Sequence, residues 1–325
     1  MKSFIREDGS HPDTRCSLTV LLYGGDGYIG THLRSLFALA GHRVVTTGTR
    51  IESRRTREEL EQTKPDRVVS CTGRTHGTSS DGTVIKSIDY LEDPSTLEEN
   101  VRDNLYGPVH LALLCRELGI HYTYVGTGCI YSSSYAEDGS AQDTYDEDAP
   151  PNFNGSKYSL VKGYTDQLLT RTVFAESALT LRIRLPIAAT PHPRNTLTKL
   201  VSYPKIHSVE NSVTCFTMLP LMVQMVADKL VGPYNFCNRG SISNGRIMEL
   251  YKEMVDPNHT CELISAGQLT SMLPAQRSNT VLNTGKLEEL FPDLQSAEDR
   301  VRECLKSYLR NQRRGREGRE TRTRI

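Results

Sequence analysis

The chain has no excess of either charge, no Cys-x-x-Cys pair and no apolar run of bilayer length. Its 39 Lys and Arg balance 39 Asp and Glu, which removes the global attraction to nucleic acid or acidic lipid that a basic protein has. Without about 20 consecutive apolar residues there is no candidate membrane helix. The start, MKSFIREDGSHPDTRCS, is polar, of mixed charge and without an apolar core, so no secretory leader is expected. The eight cysteines (Cys16, Cys71, Cys115, Cys129, Cys215, Cys237, Cys261 and Cys304) are scattered, several of them in apolar strand-like runs. That pattern speaks against a disulfide frame and a zinc site. It implies reduced thiols, no bound metal and a cytoplasmic location. No internal repeat is visible.

What is present starts with LTVLLYGGDGYIG, Leu18 to Gly30. Leu18 to Tyr23 has the length and apolar character of a buried parallel strand. Gly24, Gly27 and Gly30 follow, with Tyr28 and Ile29 inside the turn. His32 to Ala40 then carries Leu33, Leu36, Phe37 and Ala40 on one helical face. Strand, glycine turn and helix match the dinucleotide-binding fingerprint: Gly24 for the tight turn, Gly27 for backbone approach to a pyrophosphate, Gly30 for helix–strand packing. The helix N-terminus then offers free amides to phosphate.

The fold expected is α/β, a Rossmann-type doubly wound parallel sheet with a smaller C-terminal lobe. A disordered arm covers 1–16, a dinucleotide-binding domain 17–187, a substrate lobe partly interleaved with the sheet 188–309, and a disordered Arg-rich tail 310–325. His42 to Thr47 reads as the second strand. Arg50 stands just past it, where an enzyme using NAD usually carries an acid for the ribose. An arginine suits a 2′-phosphate and favours NADPH, with NADH as the alternative. The competing reading is a solvated basic surface of Arg50, Arg54 and Arg55.

Arg67 to Thr72 is the third strand. Thr72 and Gly73 lie at its carboxyl edge, where open parallel sheets bind ligands. His76, in the loop beyond, borders the expected substrate site or is incidental. Thr96 to Leu118 reads as one long helix, kinked at Pro108. His121 to Gly126 is the fourth strand, with Thr127 at its end. Ser132 to Phe153 is a long polar loop, Gly155 to Glu176 a helix and Thr180 to Leu185 a fifth strand; the last helix is Ala297 to Leu309. The tail NQRRGREGRETRTRI reads as solvated rather than as a nucleic-acid arm.

Tyr158 and Lys162 lie four apart, on one face of the helix that follows the fourth strand. An ammonium beside a phenol of pKa about 10 favours the phenolate and suits a group that gives and recovers a proton. Thr127 can hydrogen-bond a carbonyl oxygen whose charge grows during hydride attack.

This combination resembles the extended short-chain dehydrogenase/reductases. Within them it is most similar to the bifunctional 4-keto-6-deoxyglucose nucleotide 3,5-epimerase/4-reductases of rhamnose synthesis in plants and large DNA viruses. The matching stretches are LYGGDGYIG, SIDYLED, NVRDNLYGPVHLALLCRELGI, YVGTGCIY, PNFNGSKYSLVKG, LRIRLPI, PRNTLTKLVSY, NSVT and QRSNTVLNTGKL, in family order. The resemblance implies that Thr127, Tyr158 and Lys162 form a reductase triad, with Lys162 also holding the nicotinamide ribose. It implies that Cys129 and Lys199 form an epimerase pair. Taken alone, Cys129 reads as a core thiol and Lys199 as a surface charge.

A pair is what the chemistry asks for. The carbon 4 ketone acidifies the protons on carbons 3 and 5, and inversion needs an acid/base group on each face of the ring. Arg194, Asn195 and Arg277 are expected at the nucleotide diphosphate, with a structural ion pair as the arginines' alternative, and Asn211 of NSVT is grouped with them. The partner implied is a nucleotide-diphosphate sugar, without membrane or nucleic acid, on a chain compatible with a homodimer. The other activities left open are a 4-reductase alone and a non-catalytic binding subunit. Departures from the family pattern are Ser132 where an acid is usual after the aromatic, Cys215-Phe216-Thr217 after NSVT, and NRGSISNGR near 238–246.

Overall fold

The apolar run after Leu18 forms an inner strand of a sheet covered on both faces. The computed structural model describes residues 17–323; the arm expected over 1–16 lies outside the described residues. The main sheet contains β1 (Thr19–Tyr23), β2 (Arg43–Thr47), β3 (Arg67–Ser70), β4 (His121–Thr127), β5 (Ala178–Ile183) and β6 (Gly232–Asn235). All pairs are parallel, in the order β6-β5-β4-β3-β1-β2. Leu21 pairs with Val45 on one side and Val68 on the other. The chain goes from β1 to one neighbour, then crosses back to the other, so the switch point lies between β1 and β3, beside the glycine turn.

Alternate residues of β1 serve the two faces. Val20 and Leu22 pack with Leu33 and Phe37 of α1 (Tyr28–Leu39) and with Val223 and Val226. Leu21 and Tyr23 pack with Leu60 of α2 (Arg55–Thr63), Leu111 and Leu169. Between them lies the segment read as one helix kinked at Pro108. It is a short α3 (Leu97–Val101), a π turn (Arg102–Tyr106) and α4 (Gly107–Glu117). The π turn lies immediately ahead of Pro108, and it aims Asn104 at the loop after β3, where the Asn104 side chain brackets the backbone of Arg74 at 3.0 and 2.9 Å.

Past residue 187 the chain builds a second core and also returns to the sheet. α6 (Thr196–Ser202) follows the helix α5 (Lys157–Arg171), and α7 (Leu219–Ala227) packs on the α1 side before β6 completes the sheet edge. The lobe core contains Ile187, Leu197, Leu200 and Val213. It closes with Ile247 and Leu250 of α8 (Asn244–Met254) and Val301 and Leu305 of α9. α9 runs Ala297–Thr323. Its first turns belong to the lobe core.

Candidate active site

The carboxyl edge of the sheet collects the chemistry. The Gly24–Gly30 turn is shaped for close backbone approach. Gly24 has φ +73°, the Gly27 amide donates to the Gly24 carbonyl at 3.0 Å, and a Cβ on Gly30 would lie 2.0 Å from that carbonyl oxygen. α1 begins at once and has no side-chain cap, so its first amides are free for an anion. The cradle fits a dinucleotide pyrophosphate. The side chains of Tyr28 and Ile29, expected at the cofactor, go into packing instead. The Tyr28 ring stacks on His192 at 4.2 Å and its hydroxyl is buried without a partner, while Ile29 packs on the sheet core. Only their backbone belongs to the turn.

Arg50 stands beyond β2 on the rim of a cleft shared with Gly48, Thr49, Ser53 and Arg55. Its guanidinium pairs with Glu52 and, at 2.8 Å, with Asp103. Thr72 shares a hydrogen bond with Ser70 at 2.8 Å. Gly73 has φ +153°, and a Cβ there would meet Asn104 Oδ1 at 3.0 Å and Lys162 Nζ at 3.7 Å. That leaves a bare strip of backbone between β3 and Lys162, at the switch point.

Thr127 ends β4, and its hydroxyl accepts from the Cys129 amide at 3.0 Å. α5 starts at Lys157 because Ser156 caps it, accepting from the Ser159 amide at 3.1 Å. This puts Tyr158 in the first turn, with Cys129 packed against its cluster. Tyr158 is buried, and burial pushes its phenol up, as does the neighbouring Cys129; the Thr127 hydroxyl, Arg184 and Arg194 act the other way. Lys162 does not supply the opposing charge that the sequence suggested. Its ammonium donates to the Tyr124 hydroxyl on β4, and burial lowers it to about 8. Helical spacing puts Tyr158 and Lys162 on one face, but the lysine stem reaches down to the sheet.

Lys199 projects from α6, and burial together with Arg194 and Arg277 lowers its ammonium, while Cys129 works the other way. Cys129 and Arg194 thus bear electrostatically on both Tyr158 and Lys199. Arg194 reaches across from the substrate lobe to Thr75 and His76. Three residues expected at the substrate have partners within the protein. Asn195 is fully buried, caps α6 at Leu197 (3.1 Å) and donates to the Ala188 and Thr190 carbonyls. It thereby fixes the start of the helix that carries Lys199. Asn211 is buried and accepts from Arg184 and the Thr280 amide. Arg277 is held by Asp89 through both terminal nitrogens. It is an ion pair at the rim rather than a free cation.

Sequence reasoning missed Asp89, Tyr124 and the two arginines of β5 and its exit. TLRIRL was legible as a strand, and alternate charges inside a buried strand were the signal. Arg182, fully buried, grips Asp166 of α5 at 2.8 and 2.9 Å. Arg182→Met leaves Asp166 buried without its partner and is expected to cost about 3–5 kcal/mol. A denaturant midpoint measures it.

The family model "NAD dependent epimerase/dehydratase family" matches residues 20–216. The chain belongs to that family. The matched segment includes the glycine turn. Protein L780 of Acanthamoeba polyphaga mimivirus is 41% identical over 289 residues, 88% of this chain and 96% of that one. The crystal structure of the L780 UDP-rhamnose synthase from that virus matches with TM-score 0.83, covering 90% of this chain and 99% of that one. The bifunctional dTDP-4-dehydrorhamnose 3,5-epimerase/dTDP-4-dehydrorhamnose reductase of Arabidopsis thaliana is 32% identical over 286 residues, 87% of this chain and 91% of that one. The dTDP-4-dehydrorhamnose reductase of Bacillus anthracis in complex with NADP shares the fold at TM-score 0.70 and 16% identity, covering 91% of this chain and 99% of that one.

Proposed function

We propose that this epimerase/dehydratase-family enzyme converts a UDP- or dTDP-linked 4-keto-6-deoxy-D-glucose to the L-rhamnose nucleotide, by 3,5-epimerisation and then 4-reduction with NADPH. The observation that carries the reading is the placing of Cys129 and Lys199 in one electrostatic neighbourhood with Tyr158. The relatives named for UDP-rhamnose synthesis and for the dTDP-linked epimerase and reductase pair support it. A reductase alone has no use for a thiol and a desolvated amine beside the phenol, and a binding subunit has none for any of the three.

NADPH at the Gly24–Gly30 turn supplies the hydride. The protein's own groups do the rest. One of Lys199 and Cys129 takes a ring proton from the carbon next to the ketone, and the other returns one to the opposite face. The Thr127 hydroxyl donates to the carbon 4 oxygen while it carries enolate charge. After both inversions Tyr158 gives its proton to that oxygen. Lys162 is placed beside Gly73 to hold the ribose. Arg194 and His76 close over the sugar nucleotide from the two sides of the cleft.

The preference for NADPH rests on Arg50. Arg50→Ala is expected to lower the NADPH-over-NADH preference in kcat/KM about 10–100-fold, the worth of one charge-assisted contact. No helix among the described residues is long and apolar enough to cross a membrane. The seven described cysteines are free, which supports a cytoplasmic location. Leu97, Leu113, Leu160 and Tyr164 leave apolar surface exposed along α3–α4 and α5, which supports a homodimer. The function is tested by incubating the purified chain with each keto sugar nucleotide and NADPH and reading the product by NMR. The L-rhamno product is expected. A 6-deoxy product with unchanged carbon 5 leaves only the reductase.

A further inference from the structure

Arg184, just beyond β5, is 1% exposed, yet among the described residues it has no carboxylate within ion-pair distance. One terminal nitrogen donates to Cys129 Sγ at 2.9 Å and to Ser278 Oγ at 3.3 Å. The other donates to Asn211 Oδ1 and to the Ser278 carbonyl at 3.1 Å. Burying a guanidinium among neutral partners is costly, and the sulfur is the one group it touches that can become an anion. The surroundings are built around it. A Cβ on Gly128 would lie 2.9 Å from the Arg184 stem, so the glycine between Thr127 and Cys129 lets the arginine pass under the turn. Asn211 and Ser278 hold the fork in plane, with the Ser278 hydroxyl itself tied to the Tyr131 carbonyl at 2.6 Å. Leu185, the next residue, is in the left-handed region at φ +35°, a strained conformation that fixes where the strand exit leaves Arg184.

We propose that Arg184 is the positioning residue for Cys129, setting the direction of its sulfur and standing beside its charge during proton transfer to the sugar ring. The catalytic part rests on the function proposed above. When the Cys129 thiol protonates the enolate carbon, the S–H bond breaks and a C–H bond forms. The negative charge passes from enolate to sulfur, next to the guanidinium. In the opposite sense the thiolate takes the ring proton and the charge moves to the enolate. Lys199 lies under the influence of Arg194 and Arg277 instead, so the two halves of the epimerase pair depend differently on this site.

The test compares Arg184→Met and Arg184→Lys with the unaltered protein. Three rates are read: iodoacetamide alkylation of Cys129 followed by peptide mass spectrometry, deuterium exchange at carbons 3 and 5, and reduction of a pre-epimerised keto sugar. Arg184→Met is expected to slow alkylation about tenfold and exchange about 100-fold, with reduction nearly unchanged. Arg184→Lys, which keeps a buried cation, restores part of both losses and serves if the methionine variant fails to fold. Alkylation at the unaltered rate in the folded variant, or exchange and reduction falling together, overturns the proposal. Alkylation needs no sugar, so it judges the Arg184–sulfur contact even if the rhamnose reading fails.

Discussion

Tyr158→Phe is expected to lower reduction of a pre-epimerised keto sugar about 10²–10⁴-fold with NADPH binding retained. The size is that of a general acid removed from the transition state. The phenol is buried in the first turn of α5, and burial pushes it up. Phenylalanine keeps the ring packing with Tyr90 and Leu91 and removes only the proton donor. The loss is therefore expected in kcat more than in KM, and the thermal midpoint should hardly move. An unchanged kcat would assign the proton to another group.

Cys129→Ala and Lys199→Met are each expected to lower epimerisation about 10²–10⁴-fold and to leave reduction of the pre-epimerised sugar standing. Inversion needs a group on each face, so neither member can cover for the other. The separation of the two activities is the informative part. Epimerisation at the normal rate in Cys129→Ala would remove the thiol from the chemistry and leave Arg184 without its proposed role.

Much of this geometry was readable from residues alone. The apolar run Leu18 to Tyr23, the glycine spacing and the following helix determine one another locally, and the sheet order follows from the crossovers. The triad positions Thr127 and Tyr158 were legible because strand end and helix start are marked by local signals, Gly128 and the Ser156 cap. Side-chain partners depend on chain segments far apart in sequence, and residue spacing does not reveal them. Asn195 and Asn211 are polar residues beside a binding motif, but long-range hydrogen bonds to Ala188 and Arg184 claim them. Lys162 was assigned to the phenol by helical spacing, whereas Tyr124 on β4 takes its ammonium.

The central claim is that thiol and amine flank a ring that the phenol also reaches. It is tested most directly with the protein alone, in D₂O, with UDP-4-keto-6-deoxy-glucose and no reduced nicotinamide. Deuterium entering both carbon 3 and carbon 5 with inversion, and no inverted product in Cys129→Ala, is the predicted result. A wild-type protein that leaves both carbons unlabelled, yet oxidises NADPH with a pre-epimerised sugar, would contradict it.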